Sequence, residues 1–302
     1  MLITREISKS GDPSDKNQIF KGLKFNILCC RYWWFEVWKG QRMSFPYWRL
    51  YWNKNEGAYV YYQKKTYLLP GNIYLIPPHT PFSTGIQNQK LAEESEYFFK
   101  CGRIDSKEVE KWHFERGNIL HFFTHFTLGF PYDDVKPGVY ILDISDERKN
   151  DLKDILNTLI FDSTNFSLKE SLSIYHLILS SINSLPQSIW LSKKVDHRIM
   201  TLLEYMERNM AKKMTSKTLA SQLCVSPSSF LRLFKTNVGK SPSKYLTQIR
   251  IDKACNLLLH TDTSMDTIAE QCGFTDRYHL TKVFSNIKKI SPAAFRKGGG
   301  YY

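Results

Sequence analysis

Residues 218–234 read TLASQLCVSPSSFLRLF, and residues 267–284 read TIAEQCGFTDRYHLTKVF. In the first stretch Leu219, Ala220 and Leu223 form the apolar side of a short helix. Ala220 is small where two helices of such a unit must cross closely. Ser226-Pro227 then supplies an N-cap followed by a first-turn proline, launching a second helix that buries Phe230, Leu233 and Phe234. The second stretch repeats the plan. Ile268, Ala269 and Cys272 line the support helix, and Gly273 supplies the positive φ that the turn requires. Phe274 plugs the core, and a helix opening at Asp276 turns Leu280, Val283 and Phe284 inward. These are two helix-turn-helix patterns on one polypeptide.

The flanking sequence completes a helical domain. A helix over residues 196–210 presents Ile199, Leu202, Leu203, Met206 and Met210 on one face, and Thr215 or Ser216 caps the next. Ser241-Pro242 repeats the start device and opens a helix through Leu259, about 27 Å long at the α-helical rise. A rod of that length suits holding two probes about 34 Å apart, one DNA turn. Ser291-Pro292 opens a closing helix with Phe295 and Arg296. The outward faces offer Ser226, Ser228, Leu231, Arg232 and Lys235 on the first reading helix, and Arg277, Tyr278, His279, Thr281 and Lys282 on the second. Arg250 and Lys253 are available to a phosphate backbone, although an internal structural role for Arg250 is the favoured one.

Charge agrees with this reading. The net charge of +13 is unevenly placed: residues 195–302 hold 17 Lys and Arg against 8 Asp and Glu, while the first 194 residues hold 25 against 21. A basic module of this kind is suited to neutralising phosphates.

The run from Leu219 to Arg296 resembles the DNA-binding domain of the arabinose-regulator (AraC/XylS) family. The matching residues are Ala220, Ser226, Phe230, Arg232, Phe234-Lys235, Gly239, Ser241-Pro242, Tyr245-Leu246, Arg250, Ala254, Leu257-Leu258, Ile268-Ala269, Gly273-Phe274, Lys282, Phe284, Ser291-Pro292 and Phe295-Arg296. The sequence departs from the family pattern at Lys289, where a glycine is usual, at Leu280, where an aromatic is common, and at Ser285-Asn286, which replaces a basic pair. The resemblance implies base contacts from Ser228, Leu231, Arg232, Arg277, Tyr278 and Lys282.

Residues 20–142 have a different character. Aromatic and β-branched residues are dense, and short runs are punctuated by turn chemistry at Lys39-Gly40, Pro70-Gly71, Pro77-Pro78 and Pro137-Gly138. Such spacing predicts an antiparallel barrel or jelly roll. Two amphipathic helices follow, at roughly 145–161 and 167–185, free to pack on the barrel or to pair with a second copy. The expected fold is therefore α+β: a cupin-like barrel with its N-terminal arm (1–143), a helical dimerisation or linker region (144–194), and an all-α double helix-turn-helix domain (195–302).

Residues 48–82 (WRLYWNKNEGAYVYYQKKTYLLPGNIYLIPPHTPF) are similar to the late motif of a cupin. Metal-dependent cupins carry a histidine where Phe82 stands, together with an H-x-H that occurs nowhere in this chain. We therefore expect no metal, no other cofactor and no catalytic role, and a barrel like the metal-free sensor of the same regulator family. Trp48, Arg49, Tyr51, Trp52, His79, His121 and His125 are the candidate ligand contacts, a carbohydrate being the candidate effector. Only one of the pairs Trp48/Trp52 and Arg49/Tyr51 can point inward, because side chains alternate along a strand. By analogy with relatives, an arm at residues 8–17 closes over the ligand.

Six cysteines without a C-x-x-C pair suggest reduced, mostly buried thiols, and the absence of a long apolar run argues against a membrane. The expected protein is a cytoplasmic homodimeric transcription regulator with double-stranded DNA, a small molecule and RNA polymerase as partners. The rivals are a metal-dependent cupin enzyme with a DNA-binding appendage, and a barrel that only dimerises.

Overall fold

The computed structural model of the protein describes residues 23–87, 97–161, 164–190 and 196–299. The proposed closing arm at 8–17 lies outside them. Nine strands occupy the N-terminal part: β1 (Asn26–Met43), β2 (Trp48–Asn53), β3 (Ala58–Tyr62), β4 (Lys64–Tyr67), β5 (Asn72–Ile76), β6 (Phe82–Ile86), β7 (Tyr97–Arg103), β8 (Ile119–Thr127) and β9 (Tyr140–Asp143). They form one sheet in the order β4-β3-β6-β1-β8-β2-β5-β9, with β7 also on β1. The long β1 serves several neighbours in turn. Its first half pairs with β8, its middle with β7, and its end with β6. Register shifts at 27/29, 35/37 and 40/43 bend it along the way, as bulges do. The expected jelly-roll-like barrel is thus a half-barrel whose end strands, β4 and β9, do not pair with each other.

A helix interrupts the strands where none was expected. α1 (Lys107–Glu115) starts at Ser106, whose side chain accepts from the Val109 amide, with Glu108 and Glu110 in the first turn. That N-terminal signature was legible in SKEVE and was masked by the surrounding aromatic density.

The outer face of the sheet carries Trp48, Leu50, Ile73, Leu75, Leu120, Phe122 and Phe126. Against it pack α2 (Asp146–Phe161) and α3 (Leu168–Asn183) through Leu152, Ile155, Leu159, Ile174, Leu177 and Ile178. Arg148 fastens the two helices, donating to the Ser180 carbonyl at 2.8 Å and to the Ser184 hydroxyl.

Seven helices follow: α4 (His197–Arg208), α5 (Ser216–Gln222), α6 (Pro227–Val238), α7 (Pro242–His260), α8 (Met265–Gln271), α9 (Arg277–Lys288) and α10 (Pro292–Gly299). The first helix-turn-helix unit has its own core around Ile199, Leu203, Phe230 and Phe234. The second does not. Ile251, Leu258, Ile268, Phe284 and Phe295 form one continuous cluster with Trp38, Phe45, Tyr47, Tyr51 and Phe82 of the inner sheet face. The second unit therefore seats on the open side of the half-barrel. Phe45 meets Phe295 at 5.8 Å, and the Lys288 ammonium donates to the Ser44 carbonyl at 3.4 Å. The first unit is tied by Lys24 to Glu207 at 2.8 Å.

Candidate nucleic-acid interface and barrel interior

Local chemistry positions both reading helices. The Ser226 hydroxyl accepts from the Ser229 amide at 3.2 Å and sits 3.1 Å from the Ser228 hydroxyl, so Ser226 serves the helix start. Asp276 does the same for α9, accepting from the His279 amide at 2.7 Å. Inward anchors Phe230, Phe234, Leu280 and Phe284 are fully buried and fix the rotation of each helix.

That rotation turns Ser228, Leu231, Arg232 and Lys235 of α6 and Arg277, Tyr278, His279, Thr281 and Lys282 of α9 to solvent. Leu231 is 42% and Tyr278 71% exposed, which is costly for apolar surface unless a partner covers it. Arg277 donates to the Tyr278 hydroxyl at 3.0 Å, lies 5.0 Å over its ring and stands 3.8 Å from Asp266. Thr281 is engaged with the Arg277 carbonyl at 2.8 Å, and His279 rests edge-on against Phe274. These last two therefore have internal tasks beside any external one.

Arg250 belongs to the scaffold. Its guanidinium donates to the Met210 carbonyl at 2.8 Å and to the Lys212 carbonyl at 3.1 Å, and burial lowers its pKa. The anticipated internal partner is a pair of carbonyls rather than a carboxylate.

The turns differ in a way sequence did not disclose. Gly273 has φ +73°, and a Cβ there would lie 2.6 Å from Ala211 Cα and 2.7 Å from the Met210 carbonyl. At the corresponding turn of the first unit Cys224 holds φ 53° and is exposed, so the expectation of a buried helical thiol fails there. Cys255 and Cys272 are buried as expected, and all six thiols are free.

The sheet's alternation sorts the proposed ligand contacts. Arg49, Tyr51, His121, Phe123 and His125 share the inner face. Arg49 donates to the hydroxyls of Tyr51 at 2.5 Å and Tyr47 at 3.1 Å, and stacks 3.6 Å over Phe45. His121 Nδ1 meets Asn53 Oδ1 at 2.7 Å. Burial pushes the pKa of His121 and of His125 well below the usual imidazole value, with Arg49 adding to the effect.

Trp48 and Trp52 face the other way. Their indoles donate to Asp133 at 3.0 Å and to the Pro70 carbonyl at 2.8 Å, under the helical layer. Strand parity puts them on the opposite face from Arg49, so they do not join the inner set. His79 also lies elsewhere, between the domains and 3.8 Å from Asp252. It borders a cavity of about 250 Å³ lined by Met43, Phe45, Gln248, Lys288 and Phe295. Sequence reasoning missed the inner polar residues Asn53 and Thr84. They are fully or almost fully buried, and among the described residues Asn53 Nδ2, Thr84 Oγ1 and His121 Nε2 have no hydrogen-bond partner.

Fold and site together define a two-domain chain that couples a half-barrel to a paired helix-turn-helix module. Residues 219–298 match the family described as a helix-turn-helix domain. The transcriptional activator RhaS of Enterobacter sp. (strain 638) is 34% identical over 103 residues, 34% of this chain and 37% of the relative, so little more than a third of that relative's length is matched. The lactose operon transcription activator of Staphylococcus xylosus is 24% identical over 259 residues, 80% of this chain and 81% of the relative. The unsaturated fatty acid bound wild-type ToxT of Vibrio cholerae strain SCE256 superposes with a TM-score of 0.50 at 13% identity, covering 94% of this chain and 98% of ToxT, which speaks to the fold. The C-terminal domain is a double helix-turn-helix domain. Among the described residues no helix is long and apolar enough to cross a membrane.

Proposed function

We propose that the protein is a sequence-specific transcription regulator of the AraC type. It acts in the cytoplasm and has no catalytic role of its own. Ser228, Leu231 and Arg232 on α6 and Arg277, Tyr278 and Lys282 on α9 read bases, while Lys235 and neighbouring cations meet phosphates. The observation that carries this reading is the exposure of both helix faces over the buried anchors Phe230, Phe234, Leu280 and Phe284, with Leu233 and Val283 only partly covered. Selection of duplexes from a random pool, followed by a salt titration of the winning sequence, tests it. We expect an enriched bipartite motif and affinity falling steeply with salt; absence of any enriched motif refutes it.

The inner sheet face is the effector site of this reading. A buried polar atom without a partner costs about 1–3 kcal/mol, and Asn53, Thr84 and His121 each leave one facing the interior. A polar small molecule satisfies such atoms, with Arg49 and the surrounding aromatic rings as its walls. The lactose operon relative makes a sugar the first class to screen. Ligand binding to the folded state raises the melting midpoint, which a thermal-shift panel of mono- and disaccharides reads directly.

Dimerisation belongs to α3. Leu168, Leu172, Tyr175 and Leu179 form a stripe at helical spacing, with Leu168 75% and Leu172 54% exposed. The same helix buries Ile174, Leu177 and Ile178 against the sheet, so it has two apolar faces, and among the described residues the second is covered only where Tyr175 meets Phe25. A second copy of α3 is the occupant with a matching stripe. RNA polymerase is a further partner of this reading, whether the protein activates or represses.

A further inference from the structure

Cys29, His125 and His260 converge where the half-barrel meets the DNA-binding domain. Cys29 on β1 and His125 on β8 are directly paired across the strands, and His260 is the last residue of α7. Their sulfur and nitrogen donors all lie within 4.8 Å of one another, and the two imidazole rings are 5.4 Å apart. His125 is 2% exposed, and among the described residues neither of its ring nitrogens has a hydrogen-bond partner. Both nitrogens of His260 are likewise shielded from solvent and unpartnered. A buried imidazole normally donates from one nitrogen and accepts at the other. Two that do neither, beside a thiol, form a donor set waiting for an acceptor of lone pairs.

We propose that these three residues bind one thiophilic d10 cation, of the class of Cu+ and Zn2+, as a latch between the two domains. Thiolate and imidazole are the ligands this class prefers. Metal–ligand bonds of about 2.0–2.3 Å place donors about 3.6 Å apart, so closure needs a contraction of at most about 1 Å. Binding exchanges the Cys29 thiol proton for the metal, and the proton leaves to solvent. Burial raises the Cys29 thiol pKa to about 11; Arg31 and Arg49 offset part of that rise, and they also oppose a second positive charge on the ion. That charge count, with a three-donor set, makes Cu+ the less costly member of the class.

The position gives the ion a consequence. α7 carries the first helix-turn-helix unit at its start and leads into α8 of the second within a few residues of His260. A bond from His260 to the sheet would therefore pin the second unit to the half-barrel, at a seat that includes hydrophobic packing and the His79–Asp252 and Lys288–Ser44 contacts.

The test uses the full chain, reduced, equilibrated separately with Cu+ against a cuprous chelator and with Zn2+ against a zinc chelator. Wild type should retain one equivalent of one of these ions, at least tenfold more tightly than C29S or H260Q, while C101S, which alters a thiol outside the cluster, should match wild type. X-ray absorption of the loaded wild type should show one sulfur and two imidazole nitrogens, a readout independent of how the variants fold. The ratio of the two affinities identifies the ion. No stoichiometric retention of either ion, unchanged retention in both variants, or a metal shell without sulfur would each overturn the proposal.

Discussion

Arg250 donates from Nε to the Met210 carbonyl at 2.8 Å, binding the middle of α7 to the chain segment that follows α4. The same turn receives Gly273 of the second unit. A connection between the two helix-turn-helix units is therefore built around residues 210–212, and it governs how rigidly they are held relative to each other. A hydrogen bond from a charged donor contributes about 1.5–3 kcal/mol. Arg250→Ala should lower stability by about 2 kcal/mol in a denaturant titration, while the salt slope of DNA binding stays near the wild-type value. A slope reduced by a full unit with unchanged stability would make Arg250 a phosphate contact instead.

Gly273→Ala should be more damaging. The positive φ alone costs about 1–2 kcal/mol for an L side chain, and the added methyl would meet backbone atoms of Met210 and Ala211 rather than a movable side chain. Loss of the cooperative melt of the second unit, or a fall in midpoint well beyond that of Ser285→Ala, is the expected outcome.

The opposite change should stabilise the protein at Lys289. This residue ends α9 at φ 64°, as Gly239 ends α6 at φ 80°. Lys289→Gly relieves the left-handed strain, and the greater freedom of the unfolded chain offsets part of the gain. We expect about 0.5–1 kcal/mol of added stability in thermal unfolding. Cys224→Gly at φ 53° should act in the same direction. A lower midpoint in both variants would contradict the strain argument.

Arg232→Ala should weaken binding to the selected DNA site by about 1–3 kcal/mol if the guanidinium grips a base in bidentate fashion, and relax specificity at one position. Lys282→Ala is expected to weaken it as well. If Lys282 contacts a phosphate rather than a base, the loss should be uniform across sequences and the salt slope should fall by about 1. Wild-type affinity in both variants would remove the reading helices from the account.

His121 supplies a pH dependence. Burial holds its folded-state pKa well below the ordinary imidazole value of 6.5, so the neutral ring is the folded form. A depressed folded pKa contributes stability that is present above pH 6.5 and is lost as pH falls below it, at roughly a kcal/mol per pH unit. Between pH 7.5 and 5.5 the midpoint should fall, and H121Q should reduce the slope by an amount that grows to about one proton at the acid end. An identical slope in both proteins would place the titration elsewhere.

Leu168→Asp combined with Leu172→Asp should leave a folded monomer, because the double change removes the apolar stripe of α3 without touching Ile174, Leu177 or Ile178. Sedimentation at micromolar concentration reads this, and a persistent dimer would move the interface away from α3.

Local chemistry determined the helical half. The Ser-Pro starts at 226, 241 and 291, the apolar spacing of Phe230 and Phe234, and the glycine at 273 each act through a few neighbouring residues, so pattern and structure coincide there. The strand-rich character of the first part was equally legible from its aromatic and β-branched runs. What period-2 alternation left open was which face of β2 turns inward. That was decided by partners distant in sequence: Asp133 and Pro70 capture the indoles of Trp48 and Trp52, while Tyr47, Phe45 and Phe82 enclose Arg49. The exposed turn at Cys224 escaped because a left-handed backbone at a non-glycine residue has no sequence signature.

The chain's order of residues alone established two helix-turn-helix units and a sheet domain ahead of them, since capping, turn formation and amphipathic spacing are short-range effects. Only the tertiary structure decided that the second unit closes the half-barrel, and that Cys29, His125 and His260, drawn from three separate elements, come within 4.8 Å. The reason is that contact between strands and a helix more than a hundred residues apart depends on how whole faces pack, and spacing along the chain carries no record of that.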